Sequence, residues 1–268
     1  MERTHGKSDG RVPATARRLV TATIVGLSIA IAAASKGPGL ESLSHLKDGN
    51  ARFVSNPSAA LPGPPAGRIA PGPPQRPRAA VLSCADARVP PEVIFHAGVG
   101  DLFVVRAAGH VADRSILASL EYATERLQVP LLVIMGHEAC DVIGAAAQPS
   151  TAGATHLEYL LKAIKPSIDR VASEPAGTRT RSAILGHVEE TINQMLESSS
   201  IVRGRAESGQ LVIAGAYYEM STGRVHFSDP VLVPPRPATR AASPAPAPRG
   251  TKPAAAASPR TSAPRAGK

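Results

Sequence analysis

The sequence predicts an α/β fold with a mostly parallel central sheet flanked by helices, an N-terminal helical arm and a disordered C-terminal tail. Three observations carry this expectation. Apolar runs at 79–83, 101–106, 130–135 and 210–215 are followed by, or end on, Cys84, Arg106, Gly136 and Gly215, the pattern of strands buried on both faces. Segments with helical periodicity lie between them, and strands alternating with helices imply a parallel sheet. From about Pro234 the chain is Pro, Ala, Ser, Arg and Lys without apolar periodicity, a composition that buries too little surface to offset its ordering entropy.

Residues 1–18 are polar and basic and end in Arg17-Arg18, and Leu19 to Ala34 is uncharged and largely apolar. That is a secretory signal pattern, although the run is short of the roughly 20 residues of a spanning helix. Export with cleavage, a retained membrane anchor through residues 19–34, and a cytoplasmic protein whose first segment is not a signal are the readings left open. Glu41 to Val54, with Leu43, Leu46 and Phe53, reads as an amphipathic helix, and the Pro/Gly-rich stretch 56–77 as an extended connection. Strand one is 79–83, and Pro90-Pro91-Glu92 opens a helical turn. Strand two is 101–106. A helix at 113–127 follows, with Ile116, Leu117, Leu120, Tyr122, Ala123 and Leu127 on or near its buried face. Strand three is 130–135, and a further helix starts around Glu138. Helices at 155–171 and 181–198 precede strand four at 210–215 and a strand pair over 216–227 that turns at Ser221-Thr222-Gly223. The organisation expected is 1–36 signal or anchor, 37–78 arm and connection, 79–233 α/β domain and 234–268 tail.

The net charge of +9 is unevenly placed. Residues 1–18 carry five basic and two acidic side chains and residues 235–268 seven basic and none acidic, which leaves 18 basic against 19 acidic between them. The high pI therefore describes the ends, and no nucleic-acid partner is expected for the body.

The only two cysteines, Cys84 and Cys140, sit at strand ends, with His137 three residues before the second and Asp86 two after the first. One disulfide or two core thiols would account for the sulfurs alone. The neighbouring imidazole and carboxylate favour a single zinc ion held by Cys84, His137 and Cys140, with Asp86 as fourth ligand or neighbour. Asp86 and Arg88, two apart in an extended segment, project the same way and can pair. Paired, Asp86 leaves a coordination position to water. Unpaired, it can take that position itself. His96 and His110 are expected as structural or rim histidines, His156 and His187 as exposed helix residues, and Glu138 as solvent-facing.

From about Leu43 to Val233 the sequence resembles the β-class carbonic anhydrases. The resemblance rests on Gly49-Asn50-Ala51-Arg52-Phe53, Gln75-Arg76-Pro77, Cys84-Ala85-Asp86-Ala87-Arg88-Val89-Pro90-Pro91-Glu92 and Gly100-Asp101-Leu102-Phe103-Val104-Val105-Arg106. It continues through Ala118-Ser119-Leu120-Glu121-Tyr122-Ala123, Gly136-His137-Glu138-Ala139-Cys140, Ala214-Gly215-Ala216-Tyr217-Tyr218 and Thr222-Gly223-Arg224-Val225. It implies a β-carbonic-anhydrase-like fold, one zinc ion per subunit on Cys84, His137 and Cys140, an Asp86–Arg88 dyad, and homodimers or homotetramers. It implies reversible hydration of carbon dioxide to bicarbonate and a proton by attack of a zinc-bound hydroxide. Gln75 resembles a glutamine that contacts substrate from the partner's side of the cleft, and Val89 and Phe95 are candidate apolar lining. The alternatives are carbonyl sulfide or carbon disulfide hydrolysis at the same site, or an inactive zinc-bound module associated with the cell envelope. The sequence departs from the family pattern at Ala85, Ala87, Ala107, His110 and His96, and at Asp141, where a glycine is usual beside the second cysteine.

Overall fold

The computed structural model describes residues 37–63, 74–148, 153 and 155–234; the signal-like segment, the tail beyond Pro234 and part of the Pro-rich connection lie outside them. Helix α1 spans Pro38–Ser55, β1 Ala79–Cys84, α2 Pro91–Ile94, β2 Leu102–Ala107, α3 Arg114–Glu125 and β3 Leu131–His137. Then come α4 Asp141–Ala146, α5 His156–Arg170, α6 Ala176–Ser198, α7 Ser200–Glu207, β4 Val212–Glu219 and β5 Arg224–Phe227. Among the described residues no helix is long and apolar enough to cross a membrane.

Among the described residues five strands form one sheet in the order β2-β1-β3-β4-β5, parallel throughout except for β5. Residues of β1 and β3 alternate between two apolar layers. Ala80, Leu82, Leu132 and Ile134 join Leu120, Val188, Ile192 and Met195 on one face. Ala79, Val81, Leu131, Val133 and Met135 join Leu43, Leu46, Val89 and Phe95 on the other. Both faces of these strands are therefore covered by helices, which is why they read as unbroken apolar runs. Each fully buried Leu, Ile or Val contributes about 1.5–3 kcal/mol of transfer free energy.

The strand order explains where a site forms. The chain leaves β1 toward β2 on one side and returns across β1 to β3 on the other. The connections after β1 and β3 thus diverge, opening a crevice at the carboxyl ends of these two strands. Cys84 closes β1 and His137 closes β3.

Helix α1 is fixed onto this core by one polar side chain. Asn50 Nδ2 donates to the carbonyls of Ile94 (3.1 Å) and Gly223 (2.9 Å), and its Oδ1 accepts from the Val225 N–H (2.8 Å). Gly49 lies so close to the Phe95 carbonyl that a Cβ would sit 1.9 Å from its oxygen. Replacing Asn50 by alanine leaves a buried donor and two acceptors without partners, each costing about 1–3 kcal/mol. The expected loss is about 3 kcal/mol of stability by urea unfolding, with α1 detaching first in hydrogen exchange.

Several expectations are adjusted. The run at 210–215 and the first half of the following pair are one continuous strand, β4, because the apolar sequence does not break at Gly215. Helix α7 was not anticipated. The helix expected around Glu138 begins at Asp141, after a turn. Tyr122 is 49% exposed and lies off the buried face of α3, where Leu120, Ala123 and Thr124 are buried. His187, expected at the surface, is 3% exposed, since it shares the inward face of α6 with Ile184, Val188 and Thr191.

Candidate metal centre

Cys84, His137 and Cys140 meet in the crevice, all three buried, with ligand atoms within 4.8 Å of one another. The two Sγ atoms are 4.0 Å apart. Cys84 arrives at the end of β1, and His137 at the end of β3. Cys140 is brought back beside them by a turn in which Ala139 adopts φ 51°. A left-handed alanine costs on the order of 1 kcal/mol, and here it reverses the chain so that two residues three apart face one point. The positive angle that a glycine at 141 would have suggested thus falls on Ala139, while Asp141 is ordinary first-turn helix.

The surrounding backbone prepares each donor. His137 Nδ1 lies 2.9 Å from the Glu138 carbonyl. Its N–H at Nδ1 can only donate there, so Nε2 is the free lone pair. Nε2 is buried with no hydrogen-bond partner. The Gly109 N–H donates to Cys84 Sγ at 3.3 Å. That peptide needs φ 63° at Gly109, and a Cβ there would meet Ile164 Cδ1 at 2.7 Å, so glycine is required. A hydrogen bond from Cys140, with help from His137 and the Gly109 N–H, pulls the Cys84 thiol well below the usual thiol range. Cys140, keeping its proton beside that sulfur, is pushed up. Burial opposes a charge on His137, but the adjacent Cys84 outweighs it and raises the imidazole pKa. The donor set is two sulfurs sharing a proton and one oriented imidazole, which suits a tetrahedral S/N-liganded ion such as zinc.

Both carboxylate oxygens of Asp86 accept from Arg88. Its Oδ1 accepts from the Arg88 backbone N–H (2.9 Å) and Nε (2.9 Å), and its Oδ2 from Nη2 (2.6 Å). Arg88 holds the carboxyl well below the usual carboxylate range, and the carboxylate in turn raises the guanidinium pKa. Oδ2 also lies 4.0 Å from His137 Nε2. Asp86 thus stands beside the three-donor cluster in the paired arrangement rather than within it. The segment is held by Arg106, whose Nε and Nη2 donate to the carbonyls of Cys84 (3.0 Å) and Asp86 (2.6 Å). That clamp was not foreseen beyond the placement of Arg106 at a strand end.

A cavity of about 460 Å³ opens over the cluster, lined by Cys84, Ala85, Asp86, Ala87, Arg88, Ala108 and Cys140 together with Asp141 and Val142. Val89 and Phe95 do not line it. Both are fully buried in the apolar layer with Leu43 and Leu46, where Phe95 packs on Phe227 at 5.9 Å, because α2 turns the chain inward directly after the dyad. Gln75 is exposed on the segment leading into β1 and does not line this cavity either. Glu138 is half-buried, and its carboxylate caps the Ser221 N–H at 2.8 Å.

Behind the cluster lie two buried histidines. The His110 and His187 rings are 4.7 Å apart, His187 Nδ1 is 3.4 Å from Ser167 Oγ, and neither His110 nitrogen has a partner among the described residues. Burial pushes His110 well down and His187 down to about 4. The native state therefore binds fewer protons than the unfolded chain below about pH 6.5. Stability is full above that pH and falls as pH drops toward 4, by up to about 1.4 kcal/mol per pH unit for each histidine. Urea unfolding between these limits is expected to show this slope, and His187→Asn to make it shallower.

Comparison with known proteins places these observations. Residues 79–225 match the family model described as carbonic anhydrase. A carbonic anhydrase of Mycolicibacterium smegmatis is 38% identical over 191 residues, covering 68% of this chain and 89% of that protein. Carbonic anhydrase 2 of Mycobacterium tuberculosis is 36% identical over 191 residues, covering 69% and 90%. A tetrameric β-carbonic anhydrase of Sordaria macrospora superposes with a TM-score of 0.54 at 24% identity, covering 58% of this chain and 82% of that one. At that identity the superposition shows a common fold.

Proposed function

The chain belongs to the β-class carbonic anhydrase family, and on that premise we propose that it binds one zinc ion through Cys84, His137 and Cys140 and interconverts carbon dioxide with bicarbonate and a proton. The observation that carries this reading is the convergence of two sulfurs and the unpartnered His137 Nε2 under an open cavity. Bound there, zinc supplies a Lewis acid that brings the ionisation of water toward neutral pH.

The chain's own residues do the rest. Each carboxylate oxygen offers about two lone-pair sites, and Arg88 uses both on Oδ1 but only one on Oδ2. The remaining acceptor site belongs to the oxygen nearest His137 Nε2. Asp86 accepts the hydrogen bond of the attacking water there and orients it. Arg88 is the positioning residue that fixes Asp86, and Arg106 fixes the backbone carrying both. Ala85, Ala87, Ala108 and Val142 give the cavity apolar walls suited to an uncharged substrate. The Gly109 N–H draws electron density from Cys84, offsetting part of the charge that two thiolates donate.

Copies of the chain assemble as dimers or tetramers in this reading, with exposed Gln75 of one copy completing the cleft of another; sedimentation equilibrium decides it. The N-terminal segment directs export, which N-terminal sequencing of material from the producing cell tests. Stopped-flow hydration of carbon dioxide by zinc-loaded protein, with carbonyl sulfide as a competing substrate, tests the activity. No hydration above the buffer rate would overturn it.

A further inference from the structure

The cavity over the cluster contains two carboxylates and one guanidinium, and its remaining lining is alanine, valine and sulfur. Arg88 gives both arms of its fork to Asp86, at 2.9 and 2.6 Å, and Asp86 is 12% exposed at its side chain. Asp141 is the outer acid. Its carboxylate approaches Arg88 Nη2 only to 3.6 Å, and its side chain is 90% exposed. Two thiolates balance a divalent ion, and Arg88 balances Asp86. Arg106 stands nearby but is committed to the carbonyls of Cys84 and Asp86 and does not line the cavity, so among the lining residues Asp141 carries a charge opposed only by its 3.6 Å approach to Arg88.

We propose that Asp141 is a specificity-determining residue that discriminates against anions at the cavity mouth. Resting on the carbon dioxide reading, this means that uncharged carbon dioxide enters without penalty while bicarbonate and inorganic anions are held less firmly. Product anion therefore leaves more readily than it would from a neutral mouth. The apolar walls also disfavour an anion, through desolvation, but they are unchanged in a variant altered only at Asp141. A unit charge roughly 6–10 Å from a bound anion, in a solvent-filled opening, changes affinity by about three- to ten-fold. The effect is screened by salt, since the Debye length is about 10 Å at 0.1 M.

The test compares wild type with Asp141→Asn and Asp141→Glu, and with Glu197→Gln as an equal loss of charge at an exposed position outside the cavity. Each protein is loaded with cobalt(II), and thiocyanate binding is read from visible absorption at about pH 8.5 and low ionic strength. Imidazole, largely uncharged at that pH, is the neutral control. D141N is expected to bind thiocyanate about three- to ten-fold more tightly, with imidazole affinity unchanged within two-fold. D141E and E197Q match wild type, and the difference shrinks at about 0.5 M ionic strength. In the zinc enzyme, the KM for bicarbonate falls in D141N by a similar factor. Equal thiocyanate affinity in wild type and D141N, or an equal gain for imidazole, overturns the proposal. A loaded wild type that fails to hydrate carbon dioxide overturns the functional reading instead, and the thiocyanate isotherms still decide the role of Asp141.

Discussion

Cys84→Ser is expected to bind less than a tenth of an equivalent of zinc, on the order of the loss of a first ligand, and to lose at least about a thousand-fold in turnover. A serine hydroxyl stays protonated at neutral pH and cannot replace a thiolate. Cys84 is also the sulfur that the Gly109 N–H, His137 and Cys140 all address, so its removal takes away the group around which the other donors are arranged. Cys84 is 2% exposed and the substitution nearly isosteric, so the sheet should persist. Far-UV circular dichroism close to wild type, together with absent zinc, separates loss of the ligand from loss of the fold. Chelator-stripped wild type provides the reference, because it regains zinc and activity and the variant does not. The same experiment carries a sign for pH. In the metal-free protein the two sulfurs share a proton, and His137, raised by the adjacent Cys84 against the opposing effect of burial, holds a proton more tightly than a free imidazole does. Zinc uptake must displace them, so apparent affinity rises with pH by up to about ten-fold per unit for each proton released. Flat affinity between about pH 6 and 8 would contradict that proton release, and zinc retained by Cys84→Ser would remove Cys84 from the centre.

Much of the centre is legible in the sequence for a simple reason. Strands covered on both faces are continuous apolar runs, so the polar or sulfur-bearing residue that ends such a run stands out, as Cys84, Arg106 and His137 do. The sheet order then converts chain ends into neighbours, which no local pattern states. What escaped was backbone: the Gly109 N–H on Cys84, the left-handed Ala139, and the carbonyls gathered by Arg106 depend on dihedral angles rather than side-chain type. Val89 and Phe95 follow the dyad closely in sequence, yet the short helix α2 buries them in the apolar layer with Leu43 and Leu46 rather than in the cavity wall. His187 was readable. It lies three residues after Ile184 and four before Thr191, on the face that also carries Val188 and Ile192, and a helix packed on a sheet buries a stripe wide enough to include it.

Asp86→Ala separates holding the metal from using it. Asp86 is outside the three-donor cluster, so zinc content should remain near one equivalent, whereas turnover should fall by about 10²–10³, the usual consequence of losing one oriented hydrogen-bonding group at a reacting centre. Asp86→Asn should lose about as much, because its amide presents an NH₂ to Arg88 or to the water where the carboxylate presented only acceptors. Arg88→Ala should lose less at the chemical step. It keeps the acceptor but frees it to swing, and with Arg88 gone Asp86 gains the option of joining Cys84, His137 and Cys140 on the metal. Arg88→Lys restores charge without the fork that now meets both carboxylate oxygens, and should recover little. The pH profile supplies an independent check. Arg88 keeps Asp86 ionised well below the usual carboxylate range, so protonation of Asp86 does not shape an acid limb that lies within or above that range. Asp86→Ala should therefore lower the whole profile without moving its acid limb. A variant that keeps wild-type turnover, or one whose acid limb shifts by a full pH unit, would show that the carboxylate is not acting through the hydrogen bond assigned to it.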